Sequence, residues 1–126
     1  MYEPSVVDAV RLHDRIIEVT GGLPGVRDKG LLESAINKPS THLFGRERYK
    51  SHPSKAAALL EGIALYHPFA DGNKRTAMAM ADLYLFFNNI KIEYTNEEYE
   101  VFMISVVNKK LTVRQIADWL KKHQII

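Results

Sequence analysis

Two stretches of this chain are apolar on almost every side of a helix, and only a short polar segment separates them. The first, Lys55-Ala56-Ala57-Ala58-Leu59-Leu60-Glu61-Gly62-Ile63-Ala64-Leu65-Tyr66, follows Ser54, which reads as its N-cap. The second spans residues 74–88 and carries Ala77, Met78, Met80, Ala81, Leu83, Tyr84, Leu85, Phe86 and Phe87. A helix without a polar face belongs in the middle of a domain. The remaining segments must therefore form a shell around this pair. Gly62 inside the first helix costs about 1 kcal/mol relative to alanine, which predicts close approach of another helix there.

The shell is also helical. Apolar residues at Val6, Val7, Val10, Ile16 and Ile17 predict a helix over 4–20, ended by Gly21-Gly22-Leu23-Pro24-Gly25. Asp28 caps a second over 29–37, with Leu31, Leu32, Ala35 and Ile36 inward and Pro39 as the stop. Residues 40–53 read as a surface flap, with Leu43, Phe44 and Tyr49 packing locally. Residues 90–94 read as extended. Thr95 with Glu98, and Thr112 with Gln115, are capping-box pairs for helices reaching about Lys109 and His123. The expected class is all-α: a compact bundle of about six helices around two buried ones, forming a single domain over 1–126.

At 126 residues the chain is long enough for one core without staples. It has no cysteine, which removes disulfides, thiolate metal sites and a cysteine nucleophile. The longest apolar run, 77–87, is interrupted by Asp82 and is too short for a bilayer, which takes about 20 residues. No signal peptide is visible in the first residues, so the expectation is a cytoplasmic protein without a membrane. The net charge of +2 is too small to argue for direct nucleic-acid binding.

The connector between the two greasy helices is His67-Pro68-Phe69-Ala70-Asp71-Gly72-Asn73-Lys74-Arg75. Taken singly, each residue has a plain structural reading. Asp71-Gly72-Asn73 makes a turn and cap, His67 sits at a helix C-terminus, and Lys74 and Arg75 are solvated charge. Together they put an imidazole, a carboxylate, an amide and two cations on a mount pinned at both ends. Gly72 allows a sharp turn and close backbone approach. The N–H groups of Gly72, Asn73 and Lys74 open a helix, and a helix N-terminus attracts anions. Cations are disfavoured at that end by the dipole, so a phosphate ligand would explain Lys74 and Arg75. Asp71 then suits Mg²⁺, which takes one or two carboxylates plus phosphate oxygens. His67 suits a general base. Phe69 is expected to plug into the core and anchor the loop.

These residues resemble the core motif of the Fic/Doc superfamily: histidine, any residue, phenylalanine, any residue, an acidic residue, glycine or alanine, asparagine, a variable position and arginine. Most Fic members have glycine at the variable position and a second arginine three residues past the first. This chain has Lys74 and Met78 there, which resembles the Doc, or death-on-curing, branch. Leu12-His13-Asp14, the Gly21–Gly25 run and Asp28 extend the likeness. The resemblance implies His67 as base, Asp71 as Mg²⁺ ligand, and Gly72, Asn73, Lys74 and Arg75 around the phosphates. It implies a toxin that transfers the γ-phosphate of ATP to a threonine or serine of elongation factor Tu and arrests translation. It also implies restraint by a Phd-type antitoxin in a groove beside the N-terminal helix and the flap at Leu43 and Phe44. The chain has no run of serine or threonine, three residues, glutamate and then glycine or asparagine, the mark of a built-in inhibitory helix.

The alternative on the same site is a Fic-type AMP transferase. A second is an inactive protein or a nucleic-acid-binding module, since Leu111 to Trp119 resembles part of a helix-turn-helix. For that last helix the better reading is a capped terminal helix with Val113, Ile116, Ala117 and Leu120 packed inward. His13, His42, His52 and His123 are scattered and suggest no metal. Asp82 reads as a hydrogen-bonded structural carboxylate.

Overall fold

The computed structural model describes residues 2–126. Met1, the first residue of the expected domain, lies outside them. Among the described residues six α-helices form in chain order: α1 (Val6–Thr20), α2 (Lys29–Asn37), α3 (His52–Tyr66), α4 (Asn73–Phe87), α5 (Asn96–Asn108) and α6 (Val113–Lys122), with a short 3-10 turn over Lys38–Ser40 after α2. A two-stranded hairpin, β1 (His42–Leu43) and β2 (Arg46–Glu47), lies between α2 and α3. The all-helical expectation holds, and the flap is this hairpin.

Most ends follow the local chemistry. Ser5 caps α1 by accepting the Asp8 N–H, so the helix begins at Val6 rather than at Pro4. Asp28 caps α2 through the Leu31 N–H at 3.0 Å. Thr95–Glu98 and Thr112–Gln115 close reciprocal capping boxes on α5 and α6. The start of α3 differs from expectation. Ser51 is the N-cap and Ser54 is its capping-box partner. Pro53 is accommodated because the first turn of a helix does not use its N–H.

Helix α3 is the axle. It packs against α2, α4, α5 and α6, and Ala56, Ala57, Ala58, Leu59, Leu60, Ile63 and Ala64 have no exposed surface. The alanines keep it thin, which lets several helices crowd around one. The neighbour predicted at Gly62 is α2: a Cβ there would stand 3.1 Å from both Cα and Cβ of Ala35. Helix α4 is less enclosed than its composition suggests. Met80, Ala81, Tyr84 and Leu85 are buried, but Phe86 and Phe87 remain 60% and 54% exposed. Helix α6 packs on α3 through Ile116, Ala117 and Leu120. Its apolar face is thus spent on the core, and the exposed Arg114, Gln115, Asp118 and Lys121 mix both charge signs.

In the hairpin, His42 pairs with Glu47 and Leu43 with Arg46. Phe44 and Gly45 both take positive φ, as a two-residue hairpin turn requires. Of the three residues expected to pack locally, only Tyr49 is buried; Leu43 is 55% and Phe44 95% exposed. Lys55 of α3 ties the flap down through the Glu47 carboxylate and the Tyr49 carbonyl. Residues 90–94 are extended as expected. They pair with the C-terminal segment through an Ile92–Gln124 bridge and an Ile125 N–H donated to the Lys91 carbonyl. No described helix is long and apolar enough to cross a membrane.

Candidate active site

The loop between α3 and α4 is held by four separate devices. Phe69 is 1% exposed and plugs the core as expected. The Asn73 side chain closes the loop on itself, its Oδ1 accepting the Phe69 N–H and its Nδ2 donating to the Phe69 carbonyl, both at 3.0 Å. His13 of α1, fully buried, stacks on the Phe69 ring at 3.9 Å and 5°. Its Nε2 lies 2.8 Å from the Asp71 carbonyl, and since a carbonyl only accepts, the ring donates there. The strap between α1 and α2 is the fourth device. The Ala70 N–H donates to the Gly25 carbonyl, the N–H groups of Arg27 and Asp28 donate to the Pro68 carbonyl, and Val26 bridges to Phe69.

This frame presents the motif residues on one open side. His67 is exposed, and its ring makes no hydrogen bond among the described residues. Asp71 is exposed as well. Its Oδ1 accepts the Gly72 N–H at 2.9 Å and its Oδ2 the Leu23 N–H at 3.3 Å. Gly22 makes room for that carboxylate: a Cβ there would stand 2.9 Å from Oδ2. Gly72 takes the left-handed conformation and caps α4 through its backbone alone.

Two expectations need correction. The Gly72 N–H is spent on the neighbouring Asp71 carboxylate, so it is not a free anion donor. The Asn73 amide is spent on Phe69, so of its donors only the main-chain N–H is left unspent. The unspent donors of the first turn belong to Asn73, Lys74 and Arg75, whose N–H groups have no intrahelical acceptor. No side chain caps them. Lys74 and Arg75 are exposed, and neither forms an ion pair among the described residues.

His67, Asp71, Gly72, Asn73, Lys74 and Arg75 all line one cleft of about 460 Å³. Its far wall is α5, which contributes Tyr99, Glu100, Met103, Ile104 and Val107. Burial raises the Tyr99 hydroxyl pKa, and the Arg75 charge acts against that rise. The cleft therefore joins a cationic, donor-rich floor to a largely apolar wall. An anion entering it meets a positive helix end, two unpaired cations and an unengaged imidazole. Among the described residues no group of three or more His, Cys, Asp or Glu side chains could hold a metal alone. Two carboxylates line the cleft, Asp71 on the loop and Glu100 on the α5 wall.

The sequence-predicted residues are thus brought together. His13, the strap and the α5 wall are not among the sequence-predicted site residues. Leu12-His13-Asp14 was visible as a pattern, but nothing local shows that a histidine on α1 reaches a loop 58 positions away. The α5 residues look like any amphipathic helix.

Comparison with known proteins gives a consistent result. The family model described as the Fic/DOC family matches residues 4–85. The chain is 36% identical over 99 residues to a protein named Toxin Doc from Mycolicibacterium smegmatis, covering 77% of this chain and 76% of that one. It is 30% identical over 115 residues to a protein named Protein kinase doc from Escherichia phage P1, covering 91% and 90%.

Proposed function

The chain belongs to the Fic/DOC family, and from that premise we propose that it is a Doc-like toxin, a phosphotransferase that moves the γ-phosphate of ATP onto a protein hydroxyl. The observation that carries this reading is the floor of the cleft. Two unpaired cations and three unspent N–H groups crowd the positive end of α4, an arrangement that repels itself unless a polyanion is bound. Phosphoryl transfer needs positioning and charge neutralisation more than covalent help, and this floor provides both.

The residues fit Mg²⁺. Each Asp71 oxygen accepts one backbone N–H and keeps a lone pair, and Mg²⁺ bound with a nucleotide needs only one or two carboxylates. When bound, the ion would neutralise phosphate charge. The chain's own groups do the rest. Lys74, Arg75 and the α4 amides orient the phosphates. The acceptor oxygen bonds to the γ-phosphorus, the bond to the bridging oxygen breaks, ADP leaves, and His67 takes the hydroxyl proton. Lys74 at the variable position and a buried Met78 where a second arginine would fall favour γ-phosphate transfer over AMP transfer.

The acceptor is a threonine or serine of a translation factor, elongation factor Tu being the first to test. Restraint comes from a Phd-type antitoxin. Two shallow hollows along α1 and α4 share Ala79 and Asp82, and one of them reaches Arg75. A third lies where Glu3 and Pro4 meet the flap at His42 and Glu47. The groove proposed for this partner runs beside the N-terminal helix and the flap at Leu43 and Phe44, next to these hollows.

Incubating the chain and elongation factor Tu with α- or γ-labelled Mg·ATP decides the reaction. The γ label should reach the protein and the α label should not. His67→Ala should lower transfer by about 10²–10⁴-fold without changing the thermal midpoint. Transfer of the α label would give the AMP reading instead. Undiminished labelling by the variant would remove His67 from the chemistry.

A further inference from the structure

We propose that Arg27, in the strap between α1 and α2, is a positioning residue for His67. Three successive carbonyls at the end of α3 are held by this one residue. The guanidinium donates from Nη2 to the Tyr66 carbonyl at 2.9 Å and from Nε to the His67 carbonyl at 2.7 Å. The Arg27 main-chain N–H donates to the Pro68 carbonyl at 2.8 Å.

The need for such a grip follows from the backbone of His67. Its φ of 50° and ψ of 55° are left-handed, a region unfavourable for a residue with a Cβ. Pro68 follows, and the residue before proline is pushed towards extended conformations. A left-handed cap is ordinarily secured by N–H groups just past the helix bonding back to its last carbonyls. Helices α1, α2, α4, α5 and α6 all have such a return bond from the cap residue. For α3 none is made by His67, and Pro68 has no N–H to give. The Tyr66 and His67 carbonyls are left to an outside donor, and the Arg27 fork is that donor. Its positive charge also suits the negative end of the helix. Since φ and ψ of His67 fix the direction of its Cα–Cβ bond and bias its rotamers, the fork sets the base from which the ring enters the cleft.

The inference rests on the reading of His67 as the base, but its test does not depend on that reading alone. In wild type, Arg27→Gln and Arg27→Lys, NMR shifts of the His67 Cα and Cβ report whether residue 67 stays left-handed. ATP-dependent labelling of elongation factor Tu reports kcat and KM. With Arg27→Gln, the left-handed signature should be lost in a protein that is otherwise folded. The kcat should fall by about 10–100-fold, the loss expected for a misplaced reacting group, while KM for Mg·ATP stays within about threefold because the α4 end is untouched. Arg27→Lys, which keeps charge but not the fork, should lie between. An unchanged His67 signature and an unchanged kcat in Arg27→Gln would overturn the proposal. A wild-type chain that labels nothing would defeat the functional reading, and the NMR comparison would still decide the role of Arg27.

Discussion

His13 shows how much one side chain can carry when it is wholly enclosed. It fills space against Phe69 and donates to the carbonyl of Asp71. Truncation leaves a void and a carbonyl without its donor. His13→Ala should therefore cost about 2–4 kcal/mol, the range for emptying a large buried site, read as a fall in the urea midpoint. His13→Gln can restore a donor without the stacked ring and should recover part of the loss. At this scale the motif residues were legible from the chain alone, and their donors were not. Chain order puts Asp71 next to Gly72 but does not say that the carboxylate consumes the Gly72 N–H. It places Asn73 at the helix start but does not say that the amide folds back on Phe69.

Between helices, contacts too close for a methyl group decide the arrangement. Gly62→Ala improves helix propensity by about 1 kcal/mol, yet its Cβ would press on the backbone of Ala35 at 3.1 Å. Overpacking typically costs about 1–3 kcal/mol. The expected outcome is a net loss of stability in urea unfolding, the reverse of an exposed glycine. The contact of α5 with α6 joins a stack of Phe102 on Trp119 at 3.9 Å to a polar link. Glu98 accepts the Thr95 N–H at the start of α5 and reaches the His123 ring past the end of α6 at 2.8 Å. The Thr95 N–H first, and His123 second, hold its carboxyl below the ordinary glutamate range. A carboxyl depressed on folding stabilises above its unfolded pKa of about 4.3 and loses that contribution as pH falls through the folded value. Wild type should thus melt higher than Glu98→Gln at neutral pH. The gap should close as the pH is lowered from about 5 towards 3, followed by thermal melts across that range. A gap that widened on acidification would contradict this assignment. The capping boxes of α5 and α6 were readable because they are local. At α3, Ser51 and Ser54 belong to one box, and spacing alone does not say which of them is the cap.

Over the whole molecule, the all-helical class and the central place of α3 follow from apolar surface that had nowhere else to go. Partners across the chain left no such mark. Phe86 and Phe87 belong to a greasy helix and still face outward, because α1 covers only part of α4. The strap from Gly21 to Asp28 reads as a helix stop, a helix cap and part of the family likeness, and only its fold against residues 66–71 shows what it holds. That clasp joins stretches lying on opposite sides of the flap, so the genetic material for one working centre is divided. A crossover between two related genes near the hairpin would deliver the full histidine-to-arginine signature with a stranger's residues at 13, 22 and 27. Such a hybrid would carry the whole signature, and its loop would be held only as well as the stranger's residues at those three positions allow.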